Sequence, residues 1–297
     1  MKLIDPKFED LTAQYTDPVL LGERCTRVCY KSEDKIAEGS ATTLLTGIAK
    51  SGHGAMLEHI TVYLKLNYEA YSNSKSSVSE TSKTLEPFAS IAKILASPYS
   101  KFDHFDDNKI WYISTNLRVI YENSIDMFNE YLEHHGDRFT YAMCPYVDNC
   151  RLEDSDKFKR RVTILFDMDR IGSQSFCRHR TFSFAQESTR WCNYIKDKFG
   201  SEISISTPCW LKPEDHDEFV HDMELYEQLY FKWINKGYKA QDARYFLPFG
   251  THTQIIMTGF VDAWEHFFEL RVDSHAHIQA QELAVPLQQY FIEKGYI

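Results

Sequence analysis

The residues from Arg178 to Arg190 read Arg-His-Arg-Thr-Phe-Ser-Phe-Ala-Gln-Glu-Ser-Thr-Arg, which puts three guanidiniums and an imidazole into one short stretch. The chain as a whole carries a formal net charge of -10, so the local field opposes the global one. A guanidinium offers a planar fork of donors that matches phosphate or carboxylate, while hydroxyls and a carboxamide can read the edge of a heterocycle. The chemistry these types suit is the binding of a charged heterocycle such as a nucleotide. Two plainer readings compete. Arg178, His179 and Arg180 could cap a helix C-terminus, and the stretch could be a solvated charged loop. Capping does not account for Ser183, Gln186, Glu187, Ser188 and Thr189, which this reading places on a loop closed by Arg190.

The elements that must position the stretch come from periodicity. Val162 to Phe166 is an apolar run that reads as a buried strand, and Asp167 or Asp169 can cap a short helix through Ser173 to Cys177. Downstream, Ile203 to Ile205 reads as a short strand, and Glu214 to Lys236 as a long helix ended by Gly237. Thr253 to Leu270 is nearly all apolar and aromatic and fits a buried helix or helix pair, followed by a last helix through Gln281 and Leu287. Upstream, helices are expected over Pro18 to Val28 and Thr42 to Lys50, and alternation predicts a strand from Val62 to Leu66. His53 belongs to the preceding turn. His59 enters the strand, where it can reach a cleft or sit in the core bonded to a carbonyl.

Between 66 and 160, the stretch Ser72 to Ser79 reads as polar and flexible, and Ser97 to Asn108 as a second interruption. Phe88 to Leu95 and Asn116 to Leu132 have helical spacing, Ile110 to Ile113 suits a strand, and His134 to Asp137 a helix end. The adjacent His134 and His135 would point apart on a helix and make poor co-ligands. His266, His275 and His277 lack the His-Glu-x-x-His spacing and have cationic neighbours, so no metal is expected.

The length of 297 residues allows one large domain or two. No apolar run is long enough to cross a bilayer and the first residues lack a signal-peptide core, so a cytoplasmic protein without membrane contact is expected. Seven cysteines without a Cys-x-x-Cys read as reduced thiols, with Cys25 and Cys29 on a probable helix as packing residues. A pI near 5.6 disfavours nucleic acid as a partner.

Arg178-His179-Arg180 followed by seven residues and Ser188 resembles the signature of the flavin-dependent, X-type thymidylate synthases. Gln186 to Arg190 looks like that family's continuation, with Trp191 where it has tyrosine. Leu57-Glu58-His59 is similar to its Phe-Glu-His element, Ala243-Arg244-x-x-Leu247-Pro248 to its Ala-Arg-x-x-Leu-Pro element, and Leu270-Arg271-x-Asp273-x-His275 to its Leu-Arg-x-Asp-x-His element. There are departures: Ser175 stands where glutamine or glutamate is usual, Phe260 where asparagine is common, and Cys29 near a position often held by serine.

The resemblance implies an α+β fold of the X-type class: one domain with a central β-sheet flanked by helices, and an inserted helical segment at about 67–160. It implies reductive methylation of dUMP to dTMP, with 5,10-methylenetetrahydrofolate as carbon donor, FAD as hydride carrier and NADPH as reductant, in a homotetramer with shared active sites. Arg271 and His59 would be catalytic. Thr61, Arg178, His179, Arg180, Gln186, Phe260, Asp262 and His266 would contact the flavin. Ser175, Arg178, Gln186, Glu187, Ser188, Thr189, Arg190, Arg244 and Arg271 would hold the nucleotide. Cationic Arg178, His179 and Arg180 would favour the reduced flavin, and Arg271 against the uracil would polarise the ring without a protein nucleophile. A nucleotide-binding protein that has lost catalysis and a hydrolase using a metal on His59, His266, His275 and His277 remain as alternatives.

Overall fold

The computed structural model of the chain describes residues 1–77, 82–105, 109–196 and 200–297. Its strands are β1 (Lys2–Ile4), β2 (Lys7–Asp10), β3 (Thr61–Asn67), β4 (Lys101–Phe105), β5 (Ile110–Asn116), β6 (Phe139–Thr140), β7 (Val147–Cys150), β8 (Arg161–Asp169), β9 (Ser183–Gln186), β10 (Ser204–Ser206) and β11 (His252–Phe260). The helices are α1 (Leu11–Gln14), α2 (Pro18–Val28), α3 (Ser40–Lys50), α4 (Tyr68–Ser77), α5 (Ser82–Ala96), α6 (Leu117–Asn123), α7 (Ile125–Glu133), α8 (Arg170–Phe176), α9 (His216–Asn235), α10 (Ala240–Ala243), α11 (Val261–Arg271) and α12 (Ile278–Glu293). Helix and strand are mixed, as expected. Two compact units result, one of Met1–Asp10, Thr26–Glu33 and Thr163–Ile297, the other of Leu11–Cys25 and Asp34–Val162.

The first unit holds a four-stranded sheet in the order β2-β8-β11-β9 and a parallel pair of β1 with β10. β8 is buried at all nine positions, as its apolar run predicts for a strand covered on both faces. Thr253 to Leu270 departs from the expected buried helix or helix pair. Its first half is β11, and only Val261 to Arg271 is helical. The β-branched residues Thr253, Ile255, Ile256 and Thr258 favour the extended chain, and an apolar run alone cannot tell a buried strand from a buried helix. Gly259 lets Phe182 lie against β11, since a Cβ there would come within 2.6 Å of the Phe182 ring. Ser183 and Gln186, expected on a loop, lie in β9, which pairs antiparallel with β11 from Ile255–Gln186 to Thr258–Ser183.

In the second unit β4-β5-β3-β7-β6 form an antiparallel five-stranded sheet. Alternation along β3 buries Val62, Leu64 and Leu66 in a core shared with Leu45, Ile91, Ile113, Leu117 and Phe128. Residues 67–160 therefore supply four strands of this sheet as well as helices, rather than a helical insert alone. Ser72 to Ser77, expected to be flexible, are the end of α4, while 78 and 79, like 106–108 of the second interruption, lie outside the described residues. Ser124 breaks the predicted helix of Asn116 to Leu132 by capping α7 through Met127 N–H. At one edge Trp111 is sandwiched between Tyr68 (4.5 Å between centroids, 8° between planes) and Phe102 (5.2 Å, 4°). Among the described residues no helix is long and apolar enough to cross a membrane.

Candidate functional site

Asp169 ends β8 and caps α8, its carboxylate accepting from Gly172 N–H at 2.5 Å and from the Gln279 side chain. That cap fixes a two-turn helix whose C-terminal end delivers Arg178, His179 and Arg180. His179 is buried, while Arg178 and Arg180 are exposed. Arg271, the last residue of α11, reaches the same point. Its Nε donates to His179 Nε2 at 2.9 Å and its Nη2 to the Ser175 carbonyl at 2.9 Å. The structure thus joins two of the sequence elements into one cluster.

Because a guanidinium can only donate, His179 Nε2 must be an acceptor and the ring neutral. Burial, then the Arg271 and His266 charges, push its pKa down to about 4. The positive charge expected of Arg178, His179 and Arg180 together therefore rests on the arginines, and His179 serves as the acceptor that aims Arg271. Burial and the charge of Arg178 also lower the Arg271 pKa, which sets two guanidiniums near one another as an anion site would. His266 stands edge-on to His179, 6.3 Å away, and shares its Nδ1 with Glu269 at 3.1 Å. Asp262 is exposed near the start of α11, and Phe260 is half-buried at its N-cap. Ser175 turns its hydroxyl to the Gly172 carbonyl at 2.7 Å, so it offers Arg271 its backbone rather than a ligand its side chain.

The chain leaving β9 is held from three sides. Glu187 N–H donates to the Gln254 carbonyl (2.9 Å), Ser188 N–H to the Cys29 carbonyl (3.1 Å), and Arg170 Nη2 to the Glu187 carbonyl (3.0 Å). Gln186 Nε2 donates to Ser173 Oγ at 2.9 Å. Glu187 and Thr189 are buried, Ser188 is half-buried, and Arg190 and Arg244 are exposed. Arg244 opens a single turn of 3-10 helix. His275 pairs with Asp273 at 2.8 Å in the open, and the His277 side chain caps α12, so both have plain structural roles. Among the described residues no group of three or more His, Cys, Asp or Glu is placed to hold a metal.

His59 and Thr61 belong to the second unit. His59 ends a 3-10 helix from Gly54 to His59 with His53 at its N-cap, and is fully buried. The buried Arg161 donates to the Glu58 carbonyl at 2.9 Å and Thr61 Oγ1 at 3.4 Å, and Arg118 pairs with the Glu58 carboxylate at 2.6 Å. Two guanidiniums thus fix the turn that carries His59.

Arg170, Lys31, Gln254, Asp167 and His252 were not legible as site residues. Gln254 and His252 alternate along β11, a period-two signal that a helical reading of the segment conceals. Lys31 follows α2 with a left-handed φ of 48° and carries no sequence signal.

Residues 160–294 match the family described as thymidylate synthase complementing protein. A probable flavin-dependent thymidylate synthase of Paramecium bursaria Chlorella virus 1 is 28% identical over 132 residues, covering 39% of this chain and 59% of that protein. A flavin-dependent thymidylate synthase of Corynebacterium aurimucosum is 32% identical over 130 residues (40% and 52%), and one of Pyrococcus furiosus 31% over 125 (39% and 47%). The chain thus spans about half the length of these relatives. A crystal structure of a UMP/dUMP methylase from Streptomyces cacaoi bound with 5-Br dUMP covers 48% of this chain and 70% of its own, at 20% identity and a TM-score of 0.39, too loose a superposition to bear on mechanism. The family match over residues 160–294 begins after the His59 element and includes the whole of the arginine cluster.

Proposed function

We propose, from the match of residues 160–294 to the thymidylate synthase complementing family, that the protein is a flavin-dependent thymidylate synthase. In this reading it converts dUMP to dTMP with 5,10-methylenetetrahydrofolate as carbon donor and NADPH as reductant. The observation that carries it is the Arg271–His179 contact, which closes two separated family motifs into one cationic corner with Arg178.

The donor set fits FAD and a nucleotide. Arg178 and Arg180 present exposed guanidiniums to an anion, His266 stands beside His179, and Gln186, Phe260 and Asp262 would complete the flavin contacts. A flavin held there and reduced by NADPH would supply the hydride that reduces the transferred carbon to a methyl group. Arg271 is held by His179 and the Ser175 carbonyl, so its charge is pre-aimed and can stabilise negative charge developing on a pyrimidine without reorganising. Arg190 and Arg244 would take the phosphate, and Ser188 and Thr189, with the backbone of Glu187, the sugar. Ser188 has a binding role, as a hydroxyl without a base is a weak nucleophile.

We further propose a cytoplasmic homotetramer with shared sites. Tyr245, Phe249 and Trp191 are 90%, 65% and 61% exposed in the single chain, which a partner subunit would cover. Size exclusion should give four chains per particle.

The test is an absorbance spectrum of the purified protein followed by tritium release from 5-tritiated dUMP with 5,10-methylenetetrahydrofolate, FAD and NADPH. A yellow protein that releases tritium supports the reading. A protein that neither binds FAD nor releases tritium overturns it, and dUMP binding without release favours the non-catalytic alternative.

A further inference from the structure

A second polar network, whose side chains the proposed chemistry does not use, joins β8 and β11 to the segments after α2 and β9. Lys31 Nζ lies 3.4 Å from the Glu187 carboxylate and donates to the Gln254 side-chain carbonyl at 3.1 Å. Gln254 Nε2 in turn donates to Asp167 at 3.0 Å, and His252 Nε2 meets the same carboxylate oxygen at 3.1 Å. Asp167 and Glu187 are both 4% exposed. The network borders a cavity of about 340 Å³ lined by Lys31, Asp167, Glu187, Tyr194, His252 and Gln254 among others. A buried carboxylate without a counter-charge is costly, so the position of Glu187 depends on the ammonium that faces it.

We propose that Lys31 is a positioning residue for the nucleotide-binding segment Glu187 to Arg190. The residues just before it already hold that segment, since the Cys29 carbonyl accepts from Ser188 N–H. The Lys31 side chain adds a second tie two residues later, to Glu187 and to the strand beside it. One turn of backbone therefore grips Ser188 by its amide and Glu187 by its carboxylate. Because the ammonium edges a cavity, a shorter side chain leaves Glu187 facing open space and free to carry Ser188 and Arg190 out of register. Its left-handed backbone is a conformation that glycine adopts without strain.

This inference rests on the proposed synthase reading, and the two are separable. The full-length wild type, Lys31→Met, Lys31→Gly and Lys31→Arg are compared for dUMP binding by calorimetry and for tritium release. Expected for Lys31→Met and Lys31→Gly is a KM for dUMP raised on the order of tenfold, with kcat changed by less than about twofold, because geometry rather than chemistry is disturbed. Lys31→Arg should return KM to within about threefold of wild type, as it restores the charge. The glycine variant keeps the turn and so carries the measurement if the methionine variant folds poorly. If the wild type binds no dUMP, the synthase reading fails. If it does bind and Lys31→Gly matches it in KM, Lys31 positions nothing and only this inference falls.

Discussion

At His179 the nitrogen facing Arg271 is an acceptor, which leaves the proton on Nδ1 and makes imidazole and guanidinium a single unit. Removing the guanidinium in Arg271→Ala takes away the largest charge acting on the ring, so the His179 pKa should rise from about 4, read by NMR titration of its imidazole protons. The sign of the pH dependence is also fixed. The folded-state pKa of about 4 lies below the ordinary 6.5, so as pH falls from 6.5 towards 4 the unfolded chain takes up a proton that the folded chain refuses. Stability from this residue is whole above 6.5 and is lost across that window. In His179→Gln the drop in melting temperature between pH 7 and pH 5 should be smaller than in wild type. An unchanged drop would mean that the ring is not held neutral.

Among the elements, α8 is the part on which the arginine corner depends. Asp169→Ala removes the cap to Gly172 N–H and strands the Gln279 amide, and should cost about 1–2 kcal/mol in urea denaturation. Gly259→Ala should cost about 1–3 kcal/mol, since the added Cβ would meet the Phe182 ring, which is itself packed against Trp264 at 4.6 Å between centroids. How far these elements could be read beforehand varied with their physics. α2 matches its expected Pro18 to Val28 limits because its amphipathic spacing and first-turn proline are local signals. β11 was hidden because a buried strand and a buried helix present the same apolar run. β9 was hidden because short polar residues such as Ser183 look like a loop until the pairing with β11 satisfies their backbone. The elements around Arg178 and Arg271 were legible as separate motifs, whereas their contact through His179, and the places of Lys31 and Arg170, became visible only when folding brought distant segments together.

For the whole molecule, a cationic corner on a chain of net charge -10 has an electrostatic consequence. If the exposed Arg178, Arg180, Arg190 and Arg244 hold the nucleotide as proposed, they act on its phosphate through solvent, where screening shortens from about 10 Å at 0.1 M salt to about 3 Å at 1 M. The dissociation constant for dUMP should therefore rise with ionic strength while uridine, which lacks the phosphate, shows little dependence. Equal salt slopes for the two would place the phosphate elsewhere.

The aromatic sandwich of the five-stranded sheet has an optical consequence. Trp111 is the sole tryptophan between Asp34 and Val162, and its near-parallel rings with Tyr68 and Phe102 hold the indole in a fixed chiral setting. With Trp191, Trp210, Trp233 and Trp264 replaced by phenylalanine, the remaining tryptophan emission, excited beyond the tyrosine band, and the tryptophan band of the near-ultraviolet dichroism would belong to that unit. Heating such a protein beside a probe in the other unit would reveal whether the chain melts in one cooperative step or two.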